Sequence, residues 1–206
     1  MQVVLLDLDR TLVDLQSSTD YDAAWAEVSA LVDPTLRGEG PQTGWSSATR
    51  ACMATIASLP DGELWHRASR CIARYELEAV PLSTPMPGVH EFLAALGDRP
   101  RAVVTLLPED VARAVLEHHG IGIDVVVGRD PLVRPKPSGD GLRVAAERLA
   151  ATARGAVMVG DSTWDALAAA DAGCSFVGVH APPSEFADLV PAVASCSSLA
   201  EVAALL

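Results

Sequence analysis

The stretch "VVLLDLDRTLV", residues 3–13, governs the reading of the whole chain. Four apolar residues open it, then Asp7 and Asp9 stand two apart, and apolar residues resume. In extended backbone, residues two apart point to the same side. The two carboxylates therefore share a face and repel each other. A cation or a metal at that strand end would relieve the repulsion.

Other apolar runs of strand length follow. They are "AVVTLL" at 102–107, "DVVVG" at 124–128, "AVMVGD" at 156–161 and "FVGV" at 176–179. Four of the five runs lack a polar-out alternation, as expected of strands buried on both faces of a parallel sheet. Helical patterns separate them. "PGVHEFLAALG" at 87–97 opens on Pro and closes on Gly. "EDVARAVLEHHG" at 109–120 carries acids in its first turn and histidines in its last. Residues 139–150 and 163–173 follow the same grammar, and Ser198 with Glu201 has capping-box spacing before a final helix. Alternating strands and helices predict an α/β fold: a Rossmann-like parallel sheet with helices on both faces.

Residues 15–84 break the alternation. They read as helices over about 20–32, 45–58 and 61–78, and contain Trp25, Trp45 and Trp65. The proline-rich "VPLSTPMPG" closes the segment. This predicts an α/β core of residues 1–14 and 85–206, with residues 15–84 inserted as a helical domain after the first strand.

The 206 residues are 50% hydrophobic, enough for a substantial core, and carry a formal net charge of −12. That charge disfavours nucleic acid and anionic membrane surfaces as partners. Cys52, Cys71, Cys174 and Cys196 form no Cys-x-x-Cys pair, which suggests reduced thiols in a cytoplasmic protein. No basic region precedes the first apolar run, and no run approaches bilayer-spanning length.

In an open α/β sheet, ligands bind at the carboxyl ends of the strands. There the sequence places Asp7 and Asp9, then Thr105, then Lys136 between Pro135 and Pro137, then Asp161 and Asp165 in "GDSTWD". Four carboxylates, a hydroxyl and an ammonium converge on one edge. Carboxylate oxygens suit Mg²⁺, and an ammonium suits phosphate.

This order, Asp-x-Asp-x-Thr, Thr, Lys between prolines and Gly-Asp-Ser-x-x-Asp, resembles the haloacid dehalogenase superfamily. "PMPGVHEFLAAL" and "VRPKPSGDGLRVAAERL" look like its phosphoglycolate-phosphatase-like branch, and the helical insert sits where that family has a C1-type cap. The resemblance implies a Mg²⁺-dependent phosphatase acting on a small phosphorylated metabolite. Asp7 matches the nucleophile that forms an aspartyl-phosphate, and also a metal ligand. Asp9 matches the general acid and base, and offers its backbone carbonyl to the metal. Thr105, the backbone N–H of Leu106 and Lys136 match the phosphate contacts. Asp161 matches a metal ligand, with Thr11 and Asp165 in support.

Arg10 stands where the family often has Gly, and its side chain is expected to point away. Leu106 stands where related phosphatases often place a polar residue. Substrate choice is expected from the insert, through the loop "LRGEGPQTGW" at 36–45, with Arg37 and Gln42 as contacts. Two alternatives remain open: a phosphomutase acting on a sugar phosphate, and a catalytically weak protein that binds phosphorylated metabolites. The sequence names neither the metabolite nor the oligomeric state.

Overall fold

A computed structural model describes residues 2–181, 186 and 193–206. The chain opens with β1 (Val3–Leu6) and the short β2 (Val13–Asp14). Three helices follow, α1 (Tyr21–Leu31), α2 (Ser47–Ser58) and α3 (Glu63–Ala79), and then the short β3 (Thr84–Pro85). After α4 (Val89–Ala95), strands and helices alternate: β4 (Arg101–Val104), α5 (Glu109–His118), β5 (Val125–Val127), α6 (Asp140–Arg148), β6 (Ala156–Gly160), α7 (Thr163–Ala172) and β7 (Ser175–Val179). β8 (Val193–Cys196) and α8 (Leu199–Leu205) complete the order.

Six strands form one parallel sheet in the order β5-β4-β1-β6-β7-β8. The pleat of β1 explains why it is apolar throughout. Val4 and Leu6 pack into a cluster with Phe92, Val115 and Val202 from α4, α5 and α8. Val3 and Leu5 face the opposite cluster, with Leu142 and Ala169 from α6 and α7. The chain winds outward from β1 through β4 to β5, then returns to β6 and winds the other way. That reversal is where an open α/β sheet leaves its ligand crevice.

The α/β expectation holds, with three additions. β8 extends the sheet by an edge strand that was not anticipated. Ser198 caps α8 by accepting from Glu201 N–H, but the Glu201 carboxylate takes the N–H and hydroxyl of Ser197 in place of the Ser198 N–H. β2 and β3 pair antiparallel, Val13 with Pro85 and Asp14 with Thr84, so both connections of the helical segment are laced together at its base.

Within that segment, Asp20 caps α1 by accepting from Ala23 N–H, and Ser46 caps α2 by accepting from Thr49 N–H. On α3 the buried positions are Trp65, Ala68, Ser69, Ile72, Glu76 and Ala79, one stripe at helical spacing. The three helices enclose their own apolar cluster. Leu106, just past β4, and Trp164, in the first turn of α7, are also part of it. Trp164 is fully buried and stacks on Trp45 with ring centres 5.5 Å apart. The helical segment is thereby seated directly on the sheet's carboxyl edge.

Candidate active site

The predicted site residues lie past the carboxyl ends of β1, β4, β5 and β6. Asp7 extends β1, its N–H donating to Val159 O at 2.9 Å. Its Oδ1 lies 2.6 Å from Lys136 Nζ, and its Oδ2 accepts from Thr11 Oγ1 at 3.1 Å. Lys136 Nζ donates equally to Asp165 Oδ1, at 2.6 Å. The other oxygen of Asp165 accepts from the N–H and hydroxyl of Ser162, closing the capping box that starts α7. The close approach needs a glycine before it: a Cβ on Gly160 would lie 2.4 Å from Asp165 Cγ.

Asp7, Asp161 and Asp165 bring carboxylate oxygens within 4.8 Å of one another. Arg10 does not point away, as the sequence suggested. Its backbone adopts a positive φ of 62°, and its Nε lies 3.7 Å from Asp161 Oδ2. That guanidinium is partly solvated, so its compensation of the buried Asp161 is weak. Burial, with Asp7 and Asp165 close by, pushes the Asp161 carboxyl well above the usual carboxylate range. Three carboxylates face one ammonium in this cluster, and a hard divalent cation fits such an oxygen-rich, negative site.

The two aspartates of the opening motif have different surroundings. Burial pushes Asp7 up to about 6, against the pull of Lys136. Burial pushes Asp9 further, to about 7, although its Oδ1 accepts from the N–H groups of Leu15 and Gln16, each at 2.9 Å. Burial alone would lower Lys136, but Asp165 and Asp7 outweigh it and hold the ammonium above the usual lysine range. Lys136 is thus a fixed positive charge, while Asp9 is poised to exchange a proton near neutral pH.

These groups line a small cleft of about 30 Å³. From the sheet's edge it is lined by Asp7, Asp9, Thr105, Leu106, Leu107, Lys136 and Ser162. Its far side is Gln16, Tyr21, Trp45, Thr49, Met53 and Glu76. Thr105 directly follows β4, and its hydroxyl accepts from Leu107 N–H at 3.2 Å. The loop at 36–45 reaches the cleft only through Trp45.

Arg37 and Gln42 are not brought there. Arg37 donates to the carbonyls of Val32 and Ser29 and lies over the Trp25 ring, so its charge is spent within the helical segment. The side chain of Gln42 accepts from Arg50, and its backbone carbonyl accepts from Thr163 Oγ1 at 2.7 Å.

Sequence reading also missed a buried pair. Arg129, just past β5, lies with its Nη1 2.9 Å from Glu76 Oε1 on α3, and both side chains are fully buried. Its guanidinium also donates to Leu106 O and to the carbonyl and hydroxyl of Ser69. The available signal was Glu76 itself, an acid on the apolar stripe of α3.

Comparison with known proteins agrees with this geometry. The family model described as haloacid dehalogenase-like hydrolase matches residues 1–173. A phosphoglycolate phosphatase of Neisseria meningitidis is 37% identical over 124 residues, 58% of this chain and 53% of that enzyme, so the match takes in about half of the relative's length. The probable phosphatase IndB of Dickeya dadantii is 32% identical over 190 residues, covering 86% of this chain and 80% of that one. A haloacid dehalogenase-superfamily hydrolase of subfamily IA from Geobacter sulfurreducens superposes with a TM-score of 0.64 at 25% identity, over 100% of this chain and 96% of that one. The family match over residues 1–173, together with these relatives, establishes that the chain belongs to the haloacid dehalogenase-like hydrolases, on their phosphoglycolate-phosphatase-like branch.

Proposed function

We propose that the protein is a Mg²⁺-dependent phosphatase that hydrolyses a small phosphorylated metabolite through an aspartyl-phosphate on Asp7. The observation that carries this reading is the buried Asp7–Lys136–Asp165 array beside a separate carboxylic acid, Asp9. An Oδ of Asp7 attacks phosphorus as the bond to the leaving oxygen breaks. Asp9 delivers a proton to that oxygen, and then takes one from the water that splits the acyl phosphate. Lys136 and the Thr105 hydroxyl hold the phosphoryl oxygens, with the Leu106 N–H beside them. Asp7 and Asp161 are the metal ligands, joined by the Asp9 carbonyl, and Asp165 keeps Lys136 in place. Bound Mg²⁺ neutralises phosphate charge and aligns it with the nucleophile. The relatives named phosphatases support hydrolysis as the outcome.

Residues 15–84 serve as the cap in this reading. β2 and β3 form its base, and its helices cover the phosphate site, so water is excluded before chemistry. A cytoplasmic location is supported by four free cysteines. Among the described residues, no helix is long and apolar enough to cross a membrane.

Metal removal tests the scheme most directly. Turnover of p-nitrophenyl phosphate should fall to background in excess chelator and return with Mg²⁺. Ca²⁺, which takes more ligands at longer distances, should restore little. Full activity in excess chelator would rule the metal out.

A further inference from the structure

We infer that the non-phosphate end of the substrate is a hydrogen-bond donor, a hydroxyl or an amine, received by Glu76, and that substrates ending in a carboxylate are selected against. This deepens the phosphatase reading and rests on it for the phosphate end.

Glu76, on α3, lines the same cleft as Asp7 and Lys136. Its side chain is fully buried. Oε1 is saturated, accepting from Arg129 Nη1 at 2.9 Å and from Tyr21 Oη at 3.1 Å. Oε2 is buried and has no hydrogen-bond partner among the described residues. A buried carboxylate oxygen without a donor is costly, and folded proteins seldom keep one without a use. The ion pair with Arg129 fixes the carboxylate in position. The vacant acceptor therefore stands ready for a donor that arrives with the ligand.

The charge around the cleft gives the second half of the inference. The one cation that lines it, among the described residues, is Lys136, which already holds Asp7 and Asp165. Arg10 lines the neighbouring clefts, where it faces Asp161. Arg129 stands behind Glu76 with its donors spent on protein acceptors. A second carboxylate at the far end would meet Glu76 and no unpaired cation. That arrangement separates this chain from relatives named for phosphoglycolate, whose non-phosphate end is a carboxylate. Trp45 and Met53 add apolar surface to the same cleft, which suits a short carbon chain.

The test uses non-hydrolysable phosphonates of one chain length, titrated calorimetrically into the Mg²⁺-loaded wild-type protein. Hydroxypropyl- or aminopropylphosphonate should bind about tenfold or more tightly than propylphosphonate, the scale of a hydrogen bond to a charged acceptor. Which of the two leads identifies the donor. Phosphonopropionate should bind more weakly than propylphosphonate. In Glu76→Gln, whose amide can also donate, the donor advantage should shrink and phosphonopropionate should gain. If phosphonopropionate binds best to the wild type, or if neither donor beats propylphosphonate, the inference is wrong. The wild-type series decides this even if the variant does not fold. Turnover of p-nitrophenyl phosphate, measured in parallel, judges the phosphatase reading separately: its absence removes that reading and leaves the binding order to judge this one.

Discussion

Asp7→Asn is expected to reduce turnover by about 10⁴-fold or more, the scale on which loss of a covalent nucleophile acts in other hydrolases. It should not unfold the protein. The carboxyl of Asp7 is pushed by burial up to about 6, so its ionised form is held at a cost in the metal-free fold. An acid whose folded pKa is raised loses stability as pH climbs from its unfolded value to its folded one. Well below the unfolded pKa of 3.8 the aspartate is protonated in both states, and the asparagine variant should match the wild type. Above about pH 6 the full cost applies, and metal-free Asp7→Asn should be the more stable protein, by something on the order of 2–3 kcal/mol. Lys136 keeps Asp165 as a partner in either case. Thermal melts across that pH range, set beside turnover, separate loss of chemistry from loss of fold. Near-normal turnover in folded Asp7→Asn would eliminate the aspartyl-phosphate route.

Arg129→Met should be the most destabilising single change among the site residues. It strands the Glu76 carboxylate in a fully buried position and removes the donors that Ser69 and Leu106 O receive. Breaking one partner out of a buried ion pair costs about 3–5 kcal/mol, more than the intact pair contributes over a well-packed apolar replacement. The double variant Arg129→Met with Glu76→Gln should therefore recover part of the loss. Denaturant unfolding of the four proteins in the cycle measures the coupling. A single-variant loss below about 1 kcal/mol, or no recovery in the double, would show that the pair is solvated or dispensable.

The core site was readable in the sequence because each of its residues follows a strand of strong apolar character. The strand sets the depth, the parallel order sets the edge, and so Asp7, Thr105, Lys136 and Asp161 converge without further information. β8 escaped notice for the converse reason. "VASC" is short, has small residues and is interrupted by Ser195, and so carries too little apolar pattern to stand out. The cleft's far side was read poorly because charge was taken as the guide. Arg37 looked like an anion contact, yet a guanidinium can be consumed by nearby carbonyls, as this one is. Trp45, eight residues on, is the part of that loop that reaches the cleft. Glu76 was the better clue, because an acid placed among Ile72 and Ala79 on a buried stripe must have a reason to be there.

The stacked Trp45 and Trp164 give the molecule an optical handle. One indole belongs to the helical segment and the other to the first turn of α7, so any hinge motion about β2 and β3 must part them. Parting would wet an indole that is fully buried here. The emission spectrum of the unlabelled protein would then track how often the site is open, and would do so in real time as a ligand is mixed in.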